Sequence, residues 1–98
     1  MKIIAVEKEV LGIADDQFTS NLLKEETRQA WELHQAGFIR ELYFRQDRYE
    51  AVLILECKNV KEAQSVLAKL PLVKAGLIAF EFIPLKAYDG FARLFAKT

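Results

Sequence analysis

The sequence is poor in the residue types that build disulfide, metal and cofactor sites. It has one cysteine, Cys57, and one histidine, His34, among 98 residues, which excludes an internal disulfide and a cysteine-based zinc site. It also lacks a glycine-rich phosphate loop, a nucleophile elbow and a carboxylate metal cluster. We therefore expect neither a cofactor nor a metal, and any chemistry must rest on one or two carboxylates.

Net charge and long apolar runs are also missing. The 14 basic and 14 acidic side chains cancel, so no strong field is available to attract nucleic acid or an anionic membrane. No apolar run approaches the roughly 18 residues of a membrane span, and the first strand begins almost at Met1 without the layout of a signal peptide. These absences predict a cytoplasmic protein with neither a nucleic-acid nor a membrane partner.

What is present is apolar material, 52% of the residues, without a linker or repeat to divide it. This predicts one domain over residues 1–98, with a short amphipathic tail at 87–98. Strand-like alternation and turn residues predict strands at 2–8, 38–45, 49–57 and 76–84. Helices are predicted at 16–36, between Asp15 or Asp16 and Gly37, and from Asn59 with Glu62 as its capping pair to Pro71.

The order β-α-β-β-α-β is typical of the α+β ferredoxin-like fold, a four-stranded antiparallel sheet with both helices on one face. The third and fourth predicted strands carry apolar residues on both sides, and two helices cover only one side. We therefore expect a homodimer in which two sheets pack face to face, a dimeric α+β barrel. The alternative is a monomer whose apolar tail folds over the open face.

Glu26 is a carboxylate inside the apolar stripe of the first predicted helix. At 100° per residue, four apolar side chains share its arc: Phe18, Leu22, Ala30 and Leu33. Burying a carboxylate without a partner costs several kcal/mol or raises its pKa, which is how enzymes obtain a proton-transfer group that works near neutrality. Glu26 is the first candidate catalytic residue.

Arg40 is the second candidate, because it alternates with apolar side chains in the second predicted strand. An arginine on such a face is seldom buried without an anion to pair with. Two interpretations stay open. Arg40 either clamps a substrate carboxylate or forms an internal salt bridge to Glu26, Glu50 or Glu56.

Tyr49, the third candidate, follows the predicted hairpin turn, where its phenol can donate to a carbonyl or simply cover the sheet edge. Pairing Arg45 with Arg48 would place Tyr49 and Arg40 on one face, whereas pairing Arg45 with Tyr49 would place them on opposite faces. The sequence leaves this register open. Trp31 points away from the Glu26 arc, which favours an oligomer contact or surface cap over a ligand platform.

Several residues between Leu23 and Leu85 recur together in one known family. They are Glu26, Leu33, Gly37, Arg40, Leu42, Tyr49 and the run Ser-Val-Leu-Ala-Lys-Leu-Pro-Leu at 65–72. With these features the sequence resembles the muconolactone delta-isomerase family, and Leu-Pro-Leu is the most specific piece.

This resemblance implies a ferredoxin-like fold assembled as dimers and often as larger rings. It also implies cofactor-free isomerisation of muconolactone to the 3-oxoadipate enol-lactone, in which a proton crosses an allylic system conjugated to a lactone carbonyl. By the same resemblance Glu26 would be the base, Arg40 the clamp on the substrate carboxylate and Tyr49 a donor to the enolate oxygen.

Two departures from the family leave the substrate open. Asp47-Arg48 stands where the family typically has Gly-His, and the tail from Ala87 onward differs. We therefore expect an isomerase-like homo-oligomer acting on an unsaturated lactone or a related small, largely apolar carboxylic acid. The alternatives are a non-catalytic small-ligand-binding or assembly protein of the same barrel type, and a cofactor-free monooxygenase.

Overall fold

The computed structural model describes residues 1–96, in which four strands and three helices follow one another. The strands are β1 (Lys2–Glu9), β2 (Ile39–Phe44), β3 (Ala51–Glu56) and β4 (Ile78–Pro84). The helices are α1 (Ser20–Gln35), α2 (Val60–Leu67) and the one-turn helix α3 (Pro71–Lys74). Short 3-10 segments at Asp15–Gln17 and Gly90–Leu94 lie before α1 and after β4.

The strands form one antiparallel sheet in the order β2-β3-β1-β4. In this register Ile3 lies opposite Leu55 and Pro84, and Ala5 lies opposite Leu53 and Phe82. The central pair β1 and β3 and the crossover helices are those of the ferredoxin-like pattern, so the predicted α+β fold is confirmed.

The helix ends show where local chemistry and prediction differ. Thr19, rather than Asp15 or Asp16, caps α1, because its Oγ1 accepts a hydrogen bond of 3.2 Å from the Leu22 N–H. Gly37 ends the helix as predicted, with a φ of 89° that a residue with a Cβ rarely adopts. Asn59 caps α2 as predicted, but Pro71 begins α3 instead of closing α2, since proline suits the first helical position.

The core lies between the helices and the odd-numbered side of β1 and β3. Its largest fully enclosed side chains are Ile3, Ile39, Leu55, Leu67 and Leu70. Cys57 is also buried, and burial raises the pKa of its thiol, which agrees with an unreactive structural cysteine.

The opposite side of the sheet, which we call the open face, has no layer packed on it within the described chain. Its apolar side chains are only half-buried or exposed, and they comprise Ile4, Val6, Val52, Ile54, Ala79 and Ile83. The described residues after β4, up to residue 96, do not fold over it, since Phe91 and Phe95 are 67% and 82% exposed. The molecule is elongated, 62 Å long but only 28 and 22 Å across. Among the described helices, none is long and apolar enough to cross a membrane.

Candidate functional site

Glu26 projects from the middle of α1 into the layer between helix and sheet, as its place in the apolar arc predicts. Its carboxylate is half-buried, and Oε1 accepts a hydrogen bond of 2.9 Å from the Leu72 N–H. Pro71 has no N–H, so Leu72 offers the first free donor at the start of α3. Burial raises the pKa of Glu26, the Leu72 hydrogen bond opposes part of that rise, and the charge of Glu7 adds to it.

Glu7 is the residue that the sequence analysis missed. It follows Ile3 and Ala5 on the helix-facing side of β1, and its Oε1 accepts a hydrogen bond of 2.9 Å from the Ala51 N–H. Burial raises the pKa of Glu7, the hydrogen bond lowers it, and the nearby charge of Glu50 raises it further. Its alternation with two apolar residues in the first strand is the same signal that pointed to Glu26.

A cleft of about 360 Å³ opens at this end of the helix–sheet layer, within the size range of small-ligand sites. Glu7 and Tyr49 both line it, and its apolar wall consists of Val10, Ile13, Phe18, Leu77 and Ile78. The Tyr49 ring is 80% exposed and stacks on Phe44, with ring centroids 4.3 Å apart. The structure thus brings Tyr49 and the half-buried Glu7 to one cleft, whereas Glu26 does not line it. The link between Glu26 and the cleft is the charge of Glu7, which adds to the raised pKa of Glu26.

The hairpin beside the cleft takes neither register that we considered. The Arg45 N–H donates to the Glu50 carbonyl at 2.9 Å, so Tyr49 lies in the loop and β3 begins at Ala51. A charged network holds this loop: Arg45 contacts Asp47 at 2.6 Å, and Arg48 contacts Glu50 at 3.2 Å.

Arg40 does not lie with Glu26. A bulge falls between Ile39, opposite Leu55, and Glu41, opposite Ile54, which leaves Arg40 outside the ladder and breaks the alternation on which its predicted burial rested. Its side chain is exposed, and its Nε–H donates to the Gly37 carbonyl at 2.7 Å.

Glu26 and Arg40 lie near opposite ends of the sheet. Arg40 is near enough to Glu56 to help lower the pKa of that carboxyl. In the strand register Glu56 lies opposite Lys2, the first residue of β1. Glu7, the neighbour of Glu26, lies about 16 Å farther along the strand at 3.3 Å per residue. Among the described residues Arg40 forms no salt bridge to Glu26, Glu50 or Glu56, so the internal salt bridge is not present, and Glu56 is the carboxylate whose pKa Arg40 helps to lower.

Comparison with known proteins places this geometry in a family. A sequence model described as muconolactone delta-isomerase matches residues 4–90, which is most of the chain. The chain belongs to the muconolactone delta-isomerase family. The match includes β1 with Glu7, α1 with Glu26 and the Leu70-Pro71-Leu72 turn that meets Glu26.

Solved structures agree with the family assignment at the level of the fold. A crystal structure of muconolactone isomerase at 3.3 Å resolution is 18% identical to this chain, with a TM-score of 0.70 over 91% of this chain and 92% of that one. A 5-chloro-2-hydroxyhydroquinone dehydrochlorinase from Burkholderia phenoliruptrix AC1100, in complex with 2,5-dihydroxybenzoquinone, is also 18% identical, with a TM-score of 0.63 over 92% and 98%. The search of curated proteins gives no significant match.

A second concave surface lies between α1 and the edge strand β2. It is a groove of about 320 Å³ lined by Thr27, Ala30, Trp31, His34 and Leu42. Trp31 is 57% exposed, and His34 Nδ1 lies 2.8 Å from the Ile39 carbonyl oxygen, which holds its ring against β2. The cleft at Glu7 is therefore lined in part by carboxylates, whereas the groove beside Trp31 is apolar.

Proposed function

We propose that this protein is a small isomerase that shifts a proton on an unsaturated lactone or a related small carboxylic acid, without a cofactor. The observation that carries the proposal is Glu26, a half-buried carboxylate of raised pKa between helix and sheet in a muconolactone delta-isomerase family member. A carboxylate of this kind is a stronger base than a solvated one and can hold a proton between two steps.

In the proposed reaction Glu26 removes a proton from a carbon of the allylic system, and the bonding electrons pass into the conjugated carbonyl as a dienolate. The protonated Glu26 then returns the proton to the far carbon, so the double bond moves and the atoms balance. The neighbouring charge of Glu7 favours the protonated form of Glu26 and supports this holding step.

Tyr49 would donate a hydrogen bond to the oxygen that gains charge in the dienolate, and its position in the lining of the Glu7 cleft supports this role. Arg40, about 16 Å away along the sheet, would hold the same ligand only if that ligand extended through the layer. We therefore leave Arg40 out of the reaction centre and treat its role as a clamp as a separate prediction.

We also propose that the protein works as a homodimer in which two open faces pack together. The half-buried apolar side chains of β1, β3 and β4 support this, because the largest apolar patches of soluble proteins usually mark interfaces. Charged side chains, including Lys2, Glu56 and Glu81, would lie around the apolar centre of such an interface.

The test of the proposed chemistry is exchange of the lactone proton. Muconolactone and related unsaturated lactones are incubated in deuterated water with the protein, and deuterium entry and product are followed by NMR. We expect Glu26→Gln to lower the rate by about 10²-fold or more, the usual contribution of a positioned base. Glu25→Gln is the matched control, because Glu25 is exposed on the same helix and forms a salt bridge of 3.5 Å with Arg28. Equal rates for wild type and Glu26→Gln would refute Glu26 as the base.

One observation favours a second candidate, a ligand-binding or assembly protein without catalysis. Glu26 Oε1 is occupied by the Leu72 N–H, so the carboxylate also fixes α3 to α1. In that case lactones and small acids would raise the melting temperature of wild type and Glu26→Gln alike, with no deuterium entry in either protein.

A further inference from the structure

The cleft that holds Glu7 and Tyr49 also carries a guanidinium. Arg48 lines it together with its chain neighbours Tyr49 and Glu50, all three from the hairpin loop that precedes β3. The rest of the lining comes from the end of β1, the segment between β1 and α1, and the start of β4. The cleft therefore combines an apolar wall with a cation, the two features that a small, largely apolar acid needs in its binding site.

Arg48 is positioned by a carboxylate of its own loop. Its Nε lies 3.2 Å from Oε1 of Glu50, whose side chain is 16% exposed, whereas the side chain of Arg48 is 62% exposed. This contact engages Nε, and a guanidinium carries further N–H groups on its two Nη atoms, which can pair with a carboxylate in bidentate fashion. Glu50 thus fixes Arg48 at the cleft without using all of its donors.

The other two cations near the cleft are less suited to an anionic ligand. Arg45 does not line it, and its Nε and Nη2 donate to the two carboxylate oxygens of Asp47 at 2.9 and 2.6 Å. Lys8 lines the cleft, but it alternates with Glu7 along β1, so its side chain leaves the sheet on the open-face side. Within the described part of the chain, Arg48 is the cation best placed to meet an anion there.

We propose that Arg48 binds the carboxylate of the substrate in this cleft, and that the substrates are therefore unsaturated lactones or related small molecules that carry a free carboxylate. The inference rests on the proposed function, from which it takes the reaction, and it supplies the carboxylate clamp that Arg40 is too far away to provide. The sequence departs from the family at Arg48, so the family reaction does not imply this role.

The charges of the cleft favour one orientation of such a ligand. A carboxylate bound to Arg48 leaves the unsaturated body to the apolar wall, to which Ile13, Phe18 and Ile78 contribute. Burial of that body supplies affinity, and the charge pair selects the acid over a neutral ester. Glu7 would repel a ligand carboxylate that lay beside it, so the acid group is expected at Arg48 and the reacting carbons nearer Glu7.

Binding of an unreactive acid and its ester tests the role of Arg48. The two compounds are a saturated γ-lactone with an acetic acid side chain and the methyl ester of that acid, and titration calorimetry measures both Kd values. We expect wild type to bind the acid about tenfold more tightly, the size of one hydrogen-bonded charge pair that stays partly in water. Arg48→Gln should bind acid and ester equally. Arg48→Lys should keep part of the preference, because lysine retains the charge but not the planar fork.

Arg28→Gln is the matched control. Arg28 is also an exposed arginine in a salt bridge, 3.5 Å from Glu25, and it lies outside the cleft, so its loss should leave the preference for the acid unchanged. The hairpin should keep its shape in Arg48→Gln, since Arg45 still contacts Asp47 and, at 3.7 Å, Glu50. The proposal is overturned if wild type binds neither compound, if it binds both equally, or if Arg48→Gln keeps the preference.

Steady-state kinetics separates this inference from the proposed proton shift. On an unsaturated lactone acid, Arg48→Gln should raise KM about tenfold and change kcat by about twofold or less, because the charge pair is made equally in the ground state and the transition state. A lower kcat with an unchanged KM would contradict a clamp. If wild type gave no deuterium entry but its preference for the acid still depended on Arg48, the isomerase proposal would fail and the carboxylate site would stand.

Discussion

Carboxylates near the two ends of the sheet differ in burial and in the direction of their pKa shifts. At one end Glu7 and Glu26 are half-buried, each accepts one backbone N–H, and burial raises the pKa of both. At the other end Glu56 is exposed, and its hydrogen bond from the Met1 ammonium, 2.8 Å away, lowers its pKa. A raised pKa prepares a carboxyl group to carry a proton, whereas a lowered pKa fixes it as an anion. The difference indicates where proton chemistry can occur in this chain.

The largest expected effect is the difference in lactone exchange rate between the Glu26→Gln and Arg40→Gln variants. If the reaction occurs at the Glu7 end, Arg40→Gln should change the lactone exchange rate by about twofold or less, as surface substitutions away from a site do. Glu26→Gln should lower the same rate by about 10²-fold or more. Steady-state kinetics of both variants on one lactone measures the contrast. A large rise of KM in Arg40→Gln would contradict it and restore Arg40 as the carboxylate clamp.

Substitution of Tyr49, which lines the Glu7 cleft, should have a smaller effect on kcat. Tyr49→Phe keeps the ring stacked on Phe44 and removes only the hydroxyl, so the fold should be unaffected. We expect kcat to fall by about tenfold, below the 10²–10³ of an enclosed oxyanion donor, because the side chain is mostly in water. Tyr43→Phe is the matched control, since Tyr43 is also an exposed tyrosine and its hydroxyl bonds Glu41 on the open face. Equal kcat values for Tyr49→Phe and wild type would remove Tyr49 from the reaction.

Much of the fold was predictable because periodicity and turn chemistry are local. Gly37 and Asn59 acted as predicted, since a left-handed backbone and a side-chain cap depend on a few neighbouring residues. Glu26 faced the helix–sheet layer for the same reason.

The positions of Arg40 and Tyr49 could not be predicted from local sequence patterns. The bulge at Arg40 and the register that pairs Arg45 with Glu50 are set by how two strands meet across the hairpin, which no single-strand pattern contains. Glu7 was visible as a carboxylate alternating with Ile3 and Ala5. Its significance needed the neighbouring Glu26 and Ala51, which lie far from it in sequence.

The pH dependence of the melting temperature should change by less than the reaction rates do. It compares Glu7 and Glu26 directly with Glu56. For Glu7 and Glu26 the folded protein holds a proton more tightly than the unfolded chain, because their pKa lies above the ordinary value of 4.5. The stability that this tighter proton binding contributes is fully present below the unfolded pKa. It is lost as pH rises through the folded pKa. In Glu7→Gln and Glu26→Gln the melting temperature should therefore fall less between pH 4.5 and neutral pH, by a few degrees, because glutamine still accepts the backbone N–H. Glu81→Gln on the open face controls for net charge, and a curve parallel to wild type in Glu26→Gln would contradict the raised pKa.

Glu56→Gln should change the pH dependence of the melting temperature in the opposite direction, and by the smallest amount of the three variants. Because its folded pKa lies below 4.5, Glu56 contributes stability above that pH, and the contribution is lost as pH falls through the folded pKa. The pair is exposed, so the loss at neutral pH should be slight and should shrink further in high salt, whereas salt should change the Glu7 and Glu26 effects less. Melting curves of the three variants at low and high salt measure this difference. If all three variants responded to pH and salt with the same sign, Glu56 would not differ from Glu7 and Glu26 in the way on which the proposed proton transfer at Glu26 rests.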